Sequence, residues 1–391
     1  MTLRPFSLYV ALVVPLLVAT QVAADISPNS AAKTSDALQV STETGKLQVK
    51  TIAQGLNNPW SMVFLPNGKM LVTERAGRLR IIDMDGKLGE PISGLPVIDA
   101  VGQGGLLDVL LAQDFATSHK IYFSYAEPAA TGKGNSTAVS SAVLGKNSLT
   151  DVKRIFSQQP KIDSSGHFGS RLVWAADGTL FITLGERYSE KDDAQTLNNH
   201  HGKVVRINAD GTIPADNPFV KTPGALPEIW SYGHRNMQGA ALNPLTQELW
   251  TGEHGPQGGD EINLDRAGKN YGWPVITYGE NYGGGKIGEG THKKGMEQPL
   301  YKWVPSLATA GFIFYTGDKF PQWKNNILLA SLKAKTLVRL VVDGEKITHE
   351  ERLLASELQQ RFRSVVQGPD GLVYLLSDEQ DGKIYQLSPR K

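Results

Sequence analysis

The 391-residue chain contains no cysteine. That absence removes a disulfide framework, a thiolate metal site and a thiol nucleophile together. Charge of one sign is also missing, with 40 Lys and Arg against 39 Asp and Glu. No Lys/Arg cluster is dense enough to form the basic footprint of a nucleic-acid binder, so nucleic acid is not an expected partner. Long apolar runs are scarce. Only residues 6–19 are almost wholly apolar, and a membrane span needs about 20 such residues, so no stable span is expected. Convincing helical periodicity is absent as well. What the chain does have is glycine (41) and proline (21) in a 40% hydrophobic background, the composition of a turn-rich, mostly β protein.

The N-terminus reads as an export signal. Arg4 supplies a short positive region, residues 6–19 the apolar core, and Val22, Ala23 and Ala24 the small residues before Asp25. This predicts a signal peptide over 1–24 cleaved near Ala24, and a periplasmic or secreted protein. Cleavage would remove Arg4 and leave 39 basic against 39 acidic residues. Residues 25–45 are rich in Ser, Thr and Ala without periodicity, which predicts a flexible leader ahead of a domain over 46–391.

From residue 47 onward one phrase recurs: apolar strand, turn, apolar strand. It is clear in 60–83, with Pro-Asn-Gly and Ala-Gly turns, in 171–186 and in 363–388, both with Asp-Gly turns, and in 239–255. Weaker copies lie in 106–127 and 311–344. Supersecondary units repeated along a chain build solenoids, propellers or arrays. Six units of short strands with Asp-Gly hairpins predict an all-β, six-bladed β-propeller in a single domain. The strand over 47–53 is expected to complete the sheet formed by 382–387 and so close the ring. A β-sandwich or two packed β domains are the alternatives.

In such a ring the loops of one face converge on the central channel, so polar residues ahead of successive repeats gather at one site. Gln103 lies in GQGG before the second repeat, His167 in SSGHFGSR before the third, and Arg235 and Asn236 in GHRNMQG before the fourth. Lys333 lies inside the fifth repeat, and Arg361 and Arg363 open the sixth. Residues 233–274 hold the richest set: His234, Arg235 and Asn236, then a Gly-Pro turn at 255–256, Asp260 and Glu261, and an aromatic patch at 271–273. Residues 242–250 are expected to form one strand between two site-facing loops. His200 and His201 are adjacent, and adjacent strand residues point to opposite faces, so they read as blade or loop residues, not as a metal pair.

With these motifs in hand, GQGGLL, HFGSRLV, GHRNMQG, EHGPQGGDEINLDRAGKNYGWP, WVPS, SLK and RFR, the chain resembles the soluble, pyrroloquinoline quinone (PQQ)-dependent aldose dehydrogenases of the glucose/sorbosone dehydrogenase family. The resemblance runs from about Asn58 to Gln386 and implies six blades, PQQ and Ca²⁺ as cofactors, and an aldose oxidised at C1 to a lactone. It also implies roles. His167 matches the general base that takes the anomeric hydroxyl proton while hydride passes to the quinone. Lys333, Arg361, Arg363 and Arg235 match cations for the PQQ carboxylates, and Gln103 and Asn236 match hydrogen-bonding groups at the cofactor's edge. The carbonyls of Gly255 and Pro256 match ligands of the catalytic calcium, an ion that takes oxygen donors. Glu261 and the Tyr271 carbonyl match a second calcium site, and Trp303 matches a site-lining position but reads equally as a core tryptophan. The implied partners are an aldose and an unidentified periplasmic electron acceptor, for a monomer or dimer. Two other functions suit the same fold: a Ca²⁺-dependent lactonase-type hydrolase, and a non-catalytic binding propeller. The cation set and His167 weigh against both.

Overall fold

Each repeat folds because its turn residues cap a tight hairpin. In the turn at 66–68, Asn67 Oδ1 accepts the Lys69 N–H at 3.1 Å and Gly68 takes φ +82°. Asp177 and Asp370 repeat the device, accepting the N–H of Thr179 and Leu372 at 3.0 Å, ahead of Gly178 and Gly371, both at positive φ. The side chain mimics a backbone turn and the glycine supplies a conformation other residues resist. The computed structural model describes Met1 and residues 37–390.

Those hairpins grow into six antiparallel sheets. Blade 1 has three strands, Pro59–Phe64, Met70–Glu74 and Arg78–Ile82. Blade 2 runs through Leu106–Leu111, Lys120–Pro128, Asn135–Leu144 and Leu149–Ser157, and blade 3 through Leu172–Trp174, Leu180–Leu184, Lys203–Ile207 and Ile229–Tyr232. Blade 4 is Met237–Leu242, Leu249–Glu253, Asp260–Asp265 and Tyr301–Trp303; blade 5 is Thr309–Phe314, Ile327–Ser331, Leu337–Asp343 and Lys346–Leu353. Blade 6 takes Phe362–Gln367, Val373–Ser377 and Gly382–Arg390 from the C-terminus, and Gly45–Leu56 and Leu38–Thr42 from the N-terminal side. The expected closure is there: Gly45–Leu56 pairs with Gly382–Arg390, with Val49 opposite Leu387. First strands of successive blades touch round the whole ring, including the sixth against the first. The result is the six-bladed β-propeller.

The apolar core is divided into wedges, one between each pair of neighbouring blades. Leu71, Leu79, Val109 and Phe123 fill the wedge between blades 1 and 2. Trp250, Ile262, Phe312 and Leu329 fill that between blades 4 and 5. Alternate strand residues supply both faces of each sheet, which is why the strands read as nearly continuous apolar runs.

Two expectations change. The leader predicted over 25–45 ends sooner: Leu38–Thr42 is a strand pairing with Gly45–Leu56, and Val40 packs in the wedge between blades 5 and 6. A short polar strand at a sheet edge carries little periodicity, so composition alone read it as loop. Residues 242–250 are not one strand but the hairpin that the repeat over 239–255 implied, turned where Asn243 Oδ1 accepts the Leu245 N–H at 2.9 Å. The signal peptide over 1–24 and most of the leader fall outside the described residues. Among the described residues no helix is long and apolar enough to cross a membrane.

This topology decides where the polar loops go. First and second strands of a blade are antiparallel, so the entry to the first and the exit from the second open on the same face. Gln103, His167, Arg235, Asn236 and Arg361 stand at entries; Lys333 and the turn at 255–256 stand at exits.

Candidate active site

His167 is the most tightly held of these residues. Its backbone is left-handed at φ +51°, a conformation that costs a non-glycine residue about 1–3 kcal/mol and persists only where neighbours enforce it. Gln103 Oε1 accepts the His167 N–H at 2.9 Å, and the Gln103 N–H reaches Ser165 O at 2.8 Å. The ring is fixed separately. Nδ1 lies 2.7 Å from Glu186 Oε2, and Tyr188 meets the ring edge-on at 5.1 Å. Glu186 stands just past the second strand of blade 3 and is buried. With a carboxylate on Nδ1, the neutral imidazole carries its proton there, leaving Nε2 as the basic nitrogen.

Beside this pair opens a cavity of about 250 Å³ whose lining includes Glu186, Tyr188, Arg235, Pro256, Trp273 and Tyr282. Arg235 is buried, lies 5.3 Å from the Trp273 ring centre, and donates from Nη1 to the carbonyls of His254 (3.0 Å) and Gly255 (2.7 Å). Its Nε has no partner. Asn236 reaches back across the site, its Oδ1 accepting the Gly169 N–H at 3.0 Å.

A second, smaller cavity of about 20 Å³ lies against Arg235, Glu253, Gly255, Glu261, Tyr271 and Trp273, room for one water or one ion. Glu253 and Glu261 sit opposite each other on adjacent strands, an arrangement that like charges disfavour. Burial, and then the Glu253 charge, push the Glu261 carboxyl up to about 8. Next to them His234 is fully buried, stacked on Tyr271 at 4.5 Å, and within 3.6 Å of Glu253 and 3.3 Å of Asp265. Burial alone would lower its pKa, but the two carboxylates outweigh that and raise it to about 9. The raised Glu261 carboxyl and the cationic His234 and Arg235 thus offset the charges of Glu253 and Asp265, the Gly255 carbonyl is taken by Arg235, and among the described residues no group of three or more His, Asp or Glu is placed to hold a metal ion.

On the far side, Arg363 is buried and paired with Asp378 at 2.6 Å, with Nη1 on Gln238 Oε1 and Nε unpartnered. Two cations pull the Asp378 carboxyl far below the usual range against its burial: Arg363 first, then Arg75. Arg361 is less engaged, 3.8 Å from Asp378 and 41% exposed in its side chain. Lys333 is exposed; its backbone N–H bonds Leu307 O at 3.0 Å.

The structure thus joins Gln103 to His167, Arg235 to Gly255, Glu261 to Tyr271 and Arg361 to Arg363. It does not bring Trp303 to the site. Trp303 is 4% exposed, packs in the wedge between blades 4 and 5 and donates its indole N–H to Glu350 at 2.7 Å. As the last residue of an outer strand it lies away from the ring axis. His200 and His201 bond Glu228 and Asp193, each at 2.8 Å, as parts of buried polar networks. His254 reaches the Thr309 carbonyl. Three site residues escaped the sequence reading: Glu186, Arg75 and Asp378. All lie just past the second strand of a blade; a scan of strand exits as well as entries would have found them.

The glucose/sorbosone dehydrogenase family model matches residues 56–386. Aldose sugar dehydrogenase YliI of Escherichia coli is 47% identical over 349 residues, covering 88% of this chain and 93% of the relative. The apo crystal structure of the soluble aldose sugar dehydrogenase from Escherichia coli superposes with a TM-score of 0.85 at 46% identity, covering 88% of this chain and 100% of that one. The PQQ-bound aldose sugar dehydrogenase of Streptomyces coelicolor superposes with a TM-score of 0.72 at 26% identity, covering 88% and 99%.

Proposed function

The chain belongs to the glucose/sorbosone dehydrogenase family, and on that premise we propose that it is an exported aldose dehydrogenase that oxidises the sugar at C1 to the lactone with PQQ and Ca²⁺. The observation that carries this reading is the His167–Glu186 pair, 2.7 Å apart, beside a cavity bordered by Arg235 and Pro256. Export rests on the N-terminal pattern of Arg4, the apolar run 6–19 and Ala24.

The cation set suits PQQ, while calcium rests on the family resemblance. PQQ is a tricarboxylate, and the unpartnered buried Nε atoms of Arg235 and Arg363, with the exposed Lys333 and Arg361, offer the donors such an anion takes. For calcium, the Gly255 and Pro256 carbonyls would be the ligands beside the quinone, and Glu261 with the Tyr271 carbonyl those of a second ion. When bound, PQQ supplies the hydride acceptor and Ca²⁺ the Lewis acid at its quinone. The protein's own part is the proton. The C1 hydroxyl of the aldose donates its proton to His167 Nε2 as the C1–H bond breaks. Glu186 holds Nδ1–H and stabilises the imidazolium that forms, and Gln103 holds the His167 backbone. Tyr188 and Trp273 wall the cavity.

Reconstitution tests this. The purified protein is given PQQ and Ca²⁺, then aldoses and an artificial electron-acceptor dye. Dye reduction that needs both additions is the expected result. Tight PQQ binding without turnover would move the substrate away from simple aldoses. No PQQ binding would overturn the reading and leave the lactonase-type hydrolase or the binding propeller.

A further inference from the structure

The residue after Glu186 grips the same loop by different chemistry. Arg187 is 0% exposed. Its Nη1 donates to the Gly166 carbonyl, and its Nη2 to the Ser164 carbonyl (2.6 Å) and to Asn135 Oδ1. The guanidinium lies 3.6 Å over the Phe168 ring. Ser164 answers, donating its hydroxyl to the Arg187 carbonyl at 2.7 Å. Asn135 is anchored in turn, with Nδ2 on Asp99 at 2.8 Å. The fork therefore seizes residues 164, 166 and 168, and the residue between the last two is His167. Among the described residues no carboxylate pairs directly with this arginine; Glu186 and Asp99 favour its charge from further off, its Nε has no partner, and its direct contacts are the two carbonyls, the amide and the ring. A lysine would carry the charge but could not span two carbonyls and an amide while stacking on a ring.

We propose that Arg187 is a positioning residue for the base. It fixes the backbone of residues 164–168 so that His167, left-handed at φ +51°, keeps its ring on Glu186, which lines the cavity. Glu186 and Arg187 then hold one histidine twice, carboxylate on ring and guanidinium on backbone. Arg187 itself is left-handed at φ +62°, so the pair sits on a turn that the Ser164 hydroxyl helps to enforce. The proposal rests on the dehydrogenase reading above.

The test compares wild-type, Arg187→Lys and Ser164→Ala proteins, each loaded with PQQ and Ca²⁺. Melting temperature and PQQ titration are recorded alongside kcat and KM for an aldose. Misplacing a catalytic group by about 1 Å costs about a hundredfold. Arg187→Lys should lose kcat on that scale while its PQQ affinity and aldose KM stay near wild type. In Arg187→Ala, added guanidinium ion should restore part of kcat. Ser164→Ala, which removes one clasp and leaves the arginine, should lose kcat by less, in the same direction. An Arg187→Lys protein that keeps wild-type kcat would overturn the proposal, as would one losing PQQ binding in step with kcat. Should the Arg187 variants fail to fold, a Ser164→Ala protein with unchanged kcat would overturn it by itself. A wild-type protein without PQQ-dependent turnover would instead sink the functional reading beneath it.

Discussion

His167 and Lys333 stand at the same face of the same ring and are held in opposite ways. On the side of blades 2 and 3, the His167 backbone bonds Gln103, its ring bonds Glu186, and its loop is forked by a buried arginine. On the side of blades 5 and 6, Lys333 is exposed and the Arg361 side chain makes long contacts, 3.5 Å to Leu332 O and 3.8 Å to Asp378. Proton transfer works over tenths of an ångström and is lost if the base turns away. Attraction between a cation and a carboxylate falls off slowly with distance, and long flexible side chains can follow their partner. Rigid and loose construction each match the task proposed for that side.

Four substitutions would break or sharpen this contrast. His167→Ala removes the rigid side's functional group and should lower kcat by about 10²–10⁴-fold, with PQQ binding retained; steady-state kinetics beside a PQQ titration would show it. Arg363→Met removes the one tightly bound cation of the loose side. It strands Asp378, 4% exposed in its side chain, and losing a buried partner costs about 3–5 kcal/mol. The lower end applies here, because Asn58 still donates to Asp378 at 2.9 Å and Arg361 stands 3.8 Å away; thermal unfolding should register the loss.

The acidic pocket of blade 4 responds to pH. The folded state raises Glu261 from 4.5 to about 8, so the neutral carboxyl is favoured. Its stabilising contribution is full below pH 4.5 and is lost as pH rises through about 8. Melting temperature without divalent cation should therefore fall over that window, added Ca²⁺ should flatten the fall, and Glu261→Gln should remove this contribution to it. A Ca²⁺-independent profile would argue against an ion in that cavity. Lys333→Ala should do least. An exposed ion pair is worth about 0.2–1 kcal/mol, so PQQ affinity should drop about two- to fivefold at most, and less at high salt. A much larger loss would mean that Lys333 becomes buried when the cofactor binds.

Much of the ring was legible beforehand because hairpins are local. Asn67, Asp177 and Asp370 act within two residues of themselves, so a repeated turn in the sequence is a repeated turn in space. Strand entries were legible for the same reason, and GQGG, SSGHFGSR and GHRN lie there. Glu186, Arg75 and Asp378 were not, because nothing beside them in sequence distinguishes them from polar residues ending a hairpin. They matter through partners 19, 303 and 15 positions away, His167, Asp378 and Arg363. For Trp303 the sequence left lining and core readings open, and the structure takes the core one. An aromatic in a family motif matched a lining position, while register on an outer strand turned it into the wedge between blades.

The sequence by itself determined the absence of thiol chemistry, the repeat of turn-linked apolar strands, and hence the ring and the face on which its loops gather. Those follow from residue types and from turns a few residues long. Only the tertiary structure decided which polar residues meet: that Glu186 and Arg187 both seize the His167 loop, that Arg235 lies on the Gly255 carbonyl, and that Glu253 and Glu261 share one small cavity. Such pairings depend on loop paths and on the register between blades. Distances of 2.6–3.0 Å between residues far apart in the chain exist only once the ring has closed.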